Sequence, residues 1–486
     1  MALEKKSREN TRPFYGREAE LRRLKELENK KTASLVVIKG RRRIGKSRLA
    51  EELAKRLPEY TAYQFQGLPP TAALSAEQER EDFAQQIGRQ FAIPAPRGDD
   101  WNTLLWSIAD RTRVGRFLIV LDEINWLGSK DPTFLGKLKN SWDREFSQNP
   151  RLILILCGSL SSWIERNILH HTGFLGRVSL DFTLSELPLA VCDQFWGQHR
   201  ERVTAYEKLR LLSVTGGVPR YLEEINPALS ADANIARLCF TREGPLFKEF
   251  ELIFDDLFNT RNEIYRRIVA ALVGMPLDLE GLYAALSMGK TGKLSEYADD
   301  LAEAGFLSRD YTWHLKTGQE SKYSKFRLSD NYLRFYLKYI EPNRRRIERG
   351  TLLRLPNIDG ILGLQFENIV LKNRLGVFQR LHIDPNDVVY DNPFFQRKTR
   401  RAKGCQIDYL IQTRQKILYI CEVKFSKNIL APGVIEEVKQ KIARINLPRH
   451  MSYQPVLIHA GAISDAISDE DYFAATIDFS DLLHAK

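Results

Sequence analysis

The sequence predicts an α/β chain of several domains, on three observations. Its 486 residues exceed what a single hydrophobic core organises. Three apolar runs, at Leu35 to Ile38, FLIVLDEINWL (117 to 127) and LILILCGS (152 to 159), lack polar alternation, as central parallel strands buried on both faces do. The first run leads through a glycine-containing loop, GRRRIGKS, into the helical pattern RLAEELAKRL.

Charged residues make up 28% and hydrophobic ones 43%, which suits a folded chain and leaves little room for a long disordered tract. No apolar run reaches membrane-spanning length, and MALEKKSREN has no signal-like apolar stretch. A cytoplasmic protein with no membrane partner is therefore expected. The five cysteines stand singly, without zinc spacing, and read as buried thiols. A formal charge of +11 favours a polyanionic partner such as nucleic acid.

The loop satisfies G-x-x-x-x-G-K-[ST] through Gly40, Arg41, Arg42, Arg43, Ile44, Gly45, Lys46 and Ser47, with Arg48 following. In such a loop the glycines let backbone N–H groups curl round a β-phosphate. The lysine offsets phosphate charge, and the hydroxyl ligates Mg²⁺. Asp122, at the end of the second run, is placed to hold Mg²⁺, and Glu123 to orient and deprotonate water. The same acids would also suit a helix N-terminus. Ser159 either senses a γ-phosphate or caps the SSWIE helix.

These residues resemble P-loop ATPases of the AAA+/STAND group, and more narrowly the prokaryotic archaeal-type ATPases. The resemblance spans residues 14 to 225: FYGREAEL, the loop, LDEINWL, GSLSSW, GFLGRVSLDFTLSELPL and TGGVPRYL each have a counterpart. It implies ATP and Mg²⁺ as cofactors, Arg177 as a phosphate-sensing arginine and Pro219 as a base or ribose contact. A surface ion pair and a helix-starting turn are the structural alternatives for those two. The implied organisation is a P-loop AAA+-like core over 1–185, a helical lid over 186–258, a winged helix-turn-helix and connector over 259–350, and a C-terminal domain over 351–486. A homo-oligomer stays open.

Between Asn262 and Gly305 the spacing predicts three helices, followed by a hairpin in FLSRDYTWHLK and FRLSD. The third helix carries Glu296, Asp299, Asp300 and Glu303 against Lys293, a balance that repels phosphates and favours packing over DNA reading. PNRRRIERG, which follows, reads either as a solvated helix end or as a phosphate contact.

GLQFENIVLKNRL predicts a helix from Gly363 to Leu375 carrying Glu367. CQIDYLI and KILYICEVKF predict a hairpin turning at QTRQ. Alternation puts Glu422 and Lys424 on one face, with Asp408 across the turn. Two or three carboxylates with a lysine can hold Mg²⁺ and cleave a phosphodiester. An exposed hairpin with a cross-strand ion pair is the plainer alternative. The set resembles the PD-(D/E)XK nuclease superfamily, which implies a restriction-endonuclease-like α/β domain. By that resemblance Glu367, Asp408 and Glu422 are metal ligands, Asp408, Glu422 and Lys424 are catalytic, and Gln440 is an auxiliary group. Arg397, Lys398, Arg400, Arg401 and Lys403 form a basic loop before the Asp408 strand, suited to a nucleic acid backbone, DNA being favoured, or simply to solvent.

The expected function is ATP hydrolysis coupled to a Mg²⁺-dependent nuclease-like domain, with ATP state controlling access of nucleic acid. The alternative is a signalling or scaffold ATPase whose C-terminal domain binds nucleic acid or protein without cutting it.

Overall fold

A computed structural model describes residues 13–69, 71, 73–159, 161–258, 262–289, 292–352, 357–398 and 403–484. The chain forms two compact units. One comprises Met1–Lys39, Gly45–Gly158 and Trp163–Leu184, and the other Gly40–Ile44, Ser159–Ser162 and Ser185–Lys486.

The first unit is built on a five-stranded parallel sheet. Its strands are β1 (Ser34–Lys39), β2 (Thr61–Gln66), β3 (Phe117–Asp122), β4 (Leu152–Gly158) and β5 (Val178–Thr183), in the order β2-β3-β4-β1-β5. The three apolar runs of the sequence are β1, β3 and β4, the interior strands. Every residue of β1 and β4 is buried, as helices on both faces require. The outer strands β2 and β5 are mostly exposed or half-buried, each with one buried residue, Phe65 and Phe182. One face is filled by Leu35, Val37, Ile119, Leu121, Leu154 and Leu156 against Phe83, Trp101 and Leu105 of the covering helices.

The second unit carries one continuous apolar core from Leu187 to Leu483. Three helices, Asn262–Ala271, Leu279–Leu286 and Lys293–Glu303, precede the antiparallel pair β6 (Leu307–Trp313) and β7 (Glu320–Leu328). A second five-stranded sheet follows: β8 (Val388–Gln396), β9 (Cys405–Thr413), β10 (Ile417–Phe425), β11 (Ser452–Ala460) and β12 (Ala475–Asp478), ordered β12-β11-β10-β9-β8. Pairing is antiparallel from β8 to β10 and parallel from β10 to β12. Trp313 ties β6 to this sheet, its indole N–H donating to Gln412 Oε1 at 2.6 Å, while Gln412 Nε2 donates to the Leu315 carbonyl at 3.0 Å.

Two predicted boundaries shift. The helix carrying Glu367 runs Asp359–Lys372 and not Gly363 to Leu375, because Asn373 leaves helical geometry and a separate helix, Arg374–Arg380, begins after it. The hairpin turns at Arg414–Lys416 and not at QTRQ. Gln412 and Thr413 stay paired in β9, and Lys416 takes a φ of 62°.

Candidate functional site

Gly45 caps the helix Lys46–Arg56 with φ 93°, a left-handed conformation that a side chain would strain. Lys46 opens that helix and is buried. Ser47 Oγ donates to Asp122 Oδ2 at 2.5 Å, and Gln64 Nε2 reaches the same oxygen at 3.4 Å. The hydroxyl of the loop and the acid ending β3 therefore converge, as hard oxygen donors suited to Mg²⁺. Glu123 adopts φ 48° and gives its N–H to Asp122 Oδ1 at 3.0 Å. A non-glycine residue held left-handed at the end of a central strand is strain of the kind that gathers at functional positions. Arg48 pairs with Glu51 along the helix surface at 3.2 Å.

The first part of the loop, Gly40–Ile44, belongs to the second unit. There Arg41 is 5% exposed and ion-paired with Asp330 and, at 3.5 Å, with Glu186. Its guanidinium lies 5.4 Å from the Phe306 ring centroid and 5.9 Å from that of Tyr221. Arg43, at φ 71°, makes two bonds to Glu249, of 2.9 and 3.1 Å. Arg42 reaches the Leu252 carbonyl at 3.5 Å. Glu186 also accepts from Lys372 at 2.7 Å and from the Gly217 N–H at 2.9 Å. A Cβ at Gly217 would stand 2.3 Å from the Leu187 carbonyl oxygen, so glycine is required there.

The other nucleotide-site candidates divide. Ser159 is buried directly after β4. Arg177 is bound bidentately by Asp143, at 2.6 and 2.9 Å, which is the ion-pair alternative of the sequence reading. The Arg177 guanidinium holds the Asp143 carboxyl down, to about 2. Pro219 is the first residue of the short helix Pro219–Leu222.

The second candidate site lies at the open end of the β9–β10 hairpin. Cys421 pairs with Tyr409, so the same register sets Glu422 opposite Asp408. Asp408 Oδ2 accepts the Val423 N–H at 3.1 Å. Glu422 is 3% exposed, and each of its oxygens meets a lysine: Oε1 meets Lys424 at 3.1 Å, and Oε2 meets Lys441 at 2.5 Å. Lys441 also reaches Asp408 Oδ1 at 3.3 Å, and Lys424 donates to Glu437 at 2.7 Å. Burial and the neighbouring Asp408 carboxylate push the Glu367 carboxyl up, to about 7. The same two causes raise Glu422. Glu367 is held in register by its neighbours: Gln365 and Asn331 exchange side-chain to backbone bonds, and Asn368 donates to the Leu328 carbonyl and accepts from Arg327.

Among the described residues no group of three or more His, Cys, Asp or Glu side chains is close enough to hold a metal ion. Asp408 and Glu422 alone do converge, on the Lys441 ammonium. Mg²⁺ is commonly held by one or two carboxylates with water completing its shell, so this donor pair fits that ion. In the basic loop, Arg397 stacks 4.0 Å above the Tyr323 ring and reaches Asp278 at 3.4 Å, while Lys398 and Lys403 flank residues that are not described. Arg400 and Arg401 lie outside the described residues.

Residues 14–225 match the model of an ATPase domain found predominantly in Archaea. This segment is a P-loop ATPase domain. The match covers every position of the loop, both acids of β3 and Gly217 with Pro219. An uncharacterized protein of Methanocaldococcus jannaschii is 23% identical over 341 residues, 69% of this chain and 71% of that one. A Walker-type ATPase of Pyrococcus abyssi superposes with a TM-score of 0.49 at 18% identity, covering 68% of this chain and 99% of the other. For the Aeropyrum pernix ORC2 protein the TM-score is 0.43 at 17% identity, with 70% and 97% covered. No helix of the described residues is long and apolar enough to cross a membrane.

Two sets of residues escaped the sequence reading. The acids that bind the ATPase domain's loop arginines, Glu249 and Asp330, are far from the loop in sequence, and no local pattern links them to it. Lys441 had a signal. It falls on the buried stripe of its helix, three residues after Val438 and seven after Val434, whereas Gln440 falls off the stripe and pairs with Glu436 at 3.2 Å.

Proposed function

We propose that this P-loop ATPase carries a second, metal-dependent site in its C-terminal sheet that cleaves phosphodiester bonds of nucleic acid, DNA first among them. One observation supports this reading above the rest. Asp408 and Glu422, with side chains only 12% and 4% exposed, meet at the end of a hairpin beside two lysines. Packing acids together in this way raises their energy unless a cation joins them.

In the ATPase domain Lys46 would bind the β- and γ-phosphates, Ser47 and Asp122 would hold Mg²⁺, and Glu123 would orient the attacking water. In the C-terminal site Asp408 and Glu422 would hold Mg²⁺, water completing its shell; Glu367, expected from the sequence as a third ligand, is not grouped closely enough with them to join. The ion, when bound, supplies Lewis acidity toward the phosphate and an activated water. Lys424 would leave Glu437 and offset charge on the phosphate. Glu186, shared by Arg41 of the phosphate loop and Lys372 of the helix carrying Glu367, offers a route by which nucleotide state influences the second site.

A second reading is favoured by the Lys441 contacts. A chain whose carboxylates are already joined by an ammonium could serve as a nucleic-acid or protein-binding ATPase that does not cut. The test is purified protein with Mg²⁺ or Mn²⁺ on linear, circular and single-stranded DNA and on RNA, with and without ATP. Cleavage lost in Glu422→Gln and kept in the ATPase-dead Lys46→Ala variant supports the nuclease. Substrates left intact under every condition would leave the non-cutting reading.

A further inference from the structure

We infer that Lys441 is a built-in counter-cation for the C-terminal carboxylate site, holding Asp408 and Glu422 together until a divalent cation displaces it. The inference rests on the proposed metal-dependent site and adds how that site is kept before metal arrives.

Asp408 and Glu422 side chains are only 12% and 4% exposed, so solvent cannot balance their charge. The ammonium of Lys441 bonds both at once, so a divalent cation held by the same two carboxylates would compete with it. Lys424 cannot do the same, since among the described contacts it reaches Glu422 but not Asp408, and its other bond goes to Glu437. The two lysines also differ in origin. Lys424 stands on β10 beside the acid it pairs with, while Lys441 arrives from the helix Gly433–Arg444, on a stem of four methylenes.

That stem makes displacement feasible. The Lys441 side chain is 27% exposed, so its head can swing to water without unpacking Val434, Ile435 or Val438 on the same helix. Glu437 lies one turn earlier on this helix, with a side chain 57% exposed, in the acid-before-base order that favours an i,i+4 pair. Once Lys424 turns to a substrate phosphate, Glu437 becomes available to the displaced ammonium. Glu437 would thus pass from one lysine to the other: with metal and substrate absent Lys441 takes the buried acids and Lys424 takes Glu437, and with both present Lys441 takes Glu437.

The competition is read by metal binding and not by cleavage. Titration calorimetry with Mn²⁺ on the full chain, in the wild type and in Lys441→Met, should show at least tenfold tighter binding in the variant, since the metal no longer has to break two charge-assisted hydrogen bonds. Because Lys441→Met leaves buried acids unbalanced and could impair folding, the wild type is also probed directly. Amine-selective acetylation followed by mass spectrometry should show Lys441 labelled faster when Mn²⁺ is present. Equal or weaker binding in Lys441→Met, or labelling of Lys441 that is unchanged or slowed by Mn²⁺, overturns the inference while leaving the metal site standing. Absence of any binding that Asp408→Asn removes, in both proteins, overturns the metal site and the inference together.

Discussion

Ser47 and Asp122, 75 residues apart in sequence, share a 2.5 Å hydrogen bond between the phosphate loop and the end of β3. The sheet and the loop thus bring together the two oxygens that the proposed mechanism assigns to Mg²⁺. Asp122→Asn should weaken Mg²⁺-dependent ATP binding, measured by titration with ATP in Mg²⁺ and in EDTA. Glu123→Gln should keep binding and lower turnover by about 10²–10⁴-fold, the usual contribution of a base that positions water. Turnover within about threefold of wild type would remove Glu123 from the mechanism.

Arg41 and Asp330 form a pair with side chains only 5% and 1% exposed. Arg41→Ala leaves the Asp330 carboxylate uncompensated in the interior and should cost about 3–5 kcal/mol in urea denaturation. Arg41→Met combined with Asp330→Asn should recover most of that loss. The asparagine keeps the cap that Asp330 gives to the Leu333 N–H.

Glu367 carries its proton higher in the folded chain than its ordinary value of 4.5, at about 7. Below pH 4.5 the carboxyl is protonated in the folded and unfolded states alike and adds no penalty. As pH rises toward 7 the unfolded chain ionises it first, so metal-free stability falls across this window and stays lower above it. Glu367→Gln should therefore gain about 1–2 kcal/mol over wild type at pH 8, and nothing near pH 4.5, in denaturant melts with EDTA.

Lys398 and Lys403 should each contribute one phosphate contact. Replacing either by Gln should lower the slope of log affinity against log salt by roughly 0.9 for duplex DNA, read by fluorescence anisotropy. Arg397 is already engaged by Tyr323 and Asp278, so Arg397→Gln should change that slope less. An equal drop in all three variants would mean that Arg397 leaves the ring on binding.

The phosphate loop and the interior strands were readable because their chemistry is local. Glycines, Lys46 and Ser47 stand within eight residues, and β1, β3 and β4 are each one buried run. Glu422 and Lys424 were readable for a related reason, since strand alternation alone puts them on one face. What local pattern could not supply was the pairing of groups from distant elements. Arg41 reads in the sequence only as one position of the phosphate loop, and tertiary packing reveals Asp330 and Glu186 around it. The hairpin turn moved because Gln412 is claimed by Trp313 and Leu315, which holds it in β9.

The way Glu249 and Asp330 take up Arg43 and Arg41 also bears on synthesis. Arg43 cannot meet Glu249, nor Arg41 meet Asp330, until more than half of the chain has been translated. A fragment ended at residue 225 would keep the whole matched span and lose both of those acids. With Arg43 deprived of Glu249, and Arg41 keeping Glu186 but losing Asp330, nucleotide affinities measured on it should differ from those of the full chain.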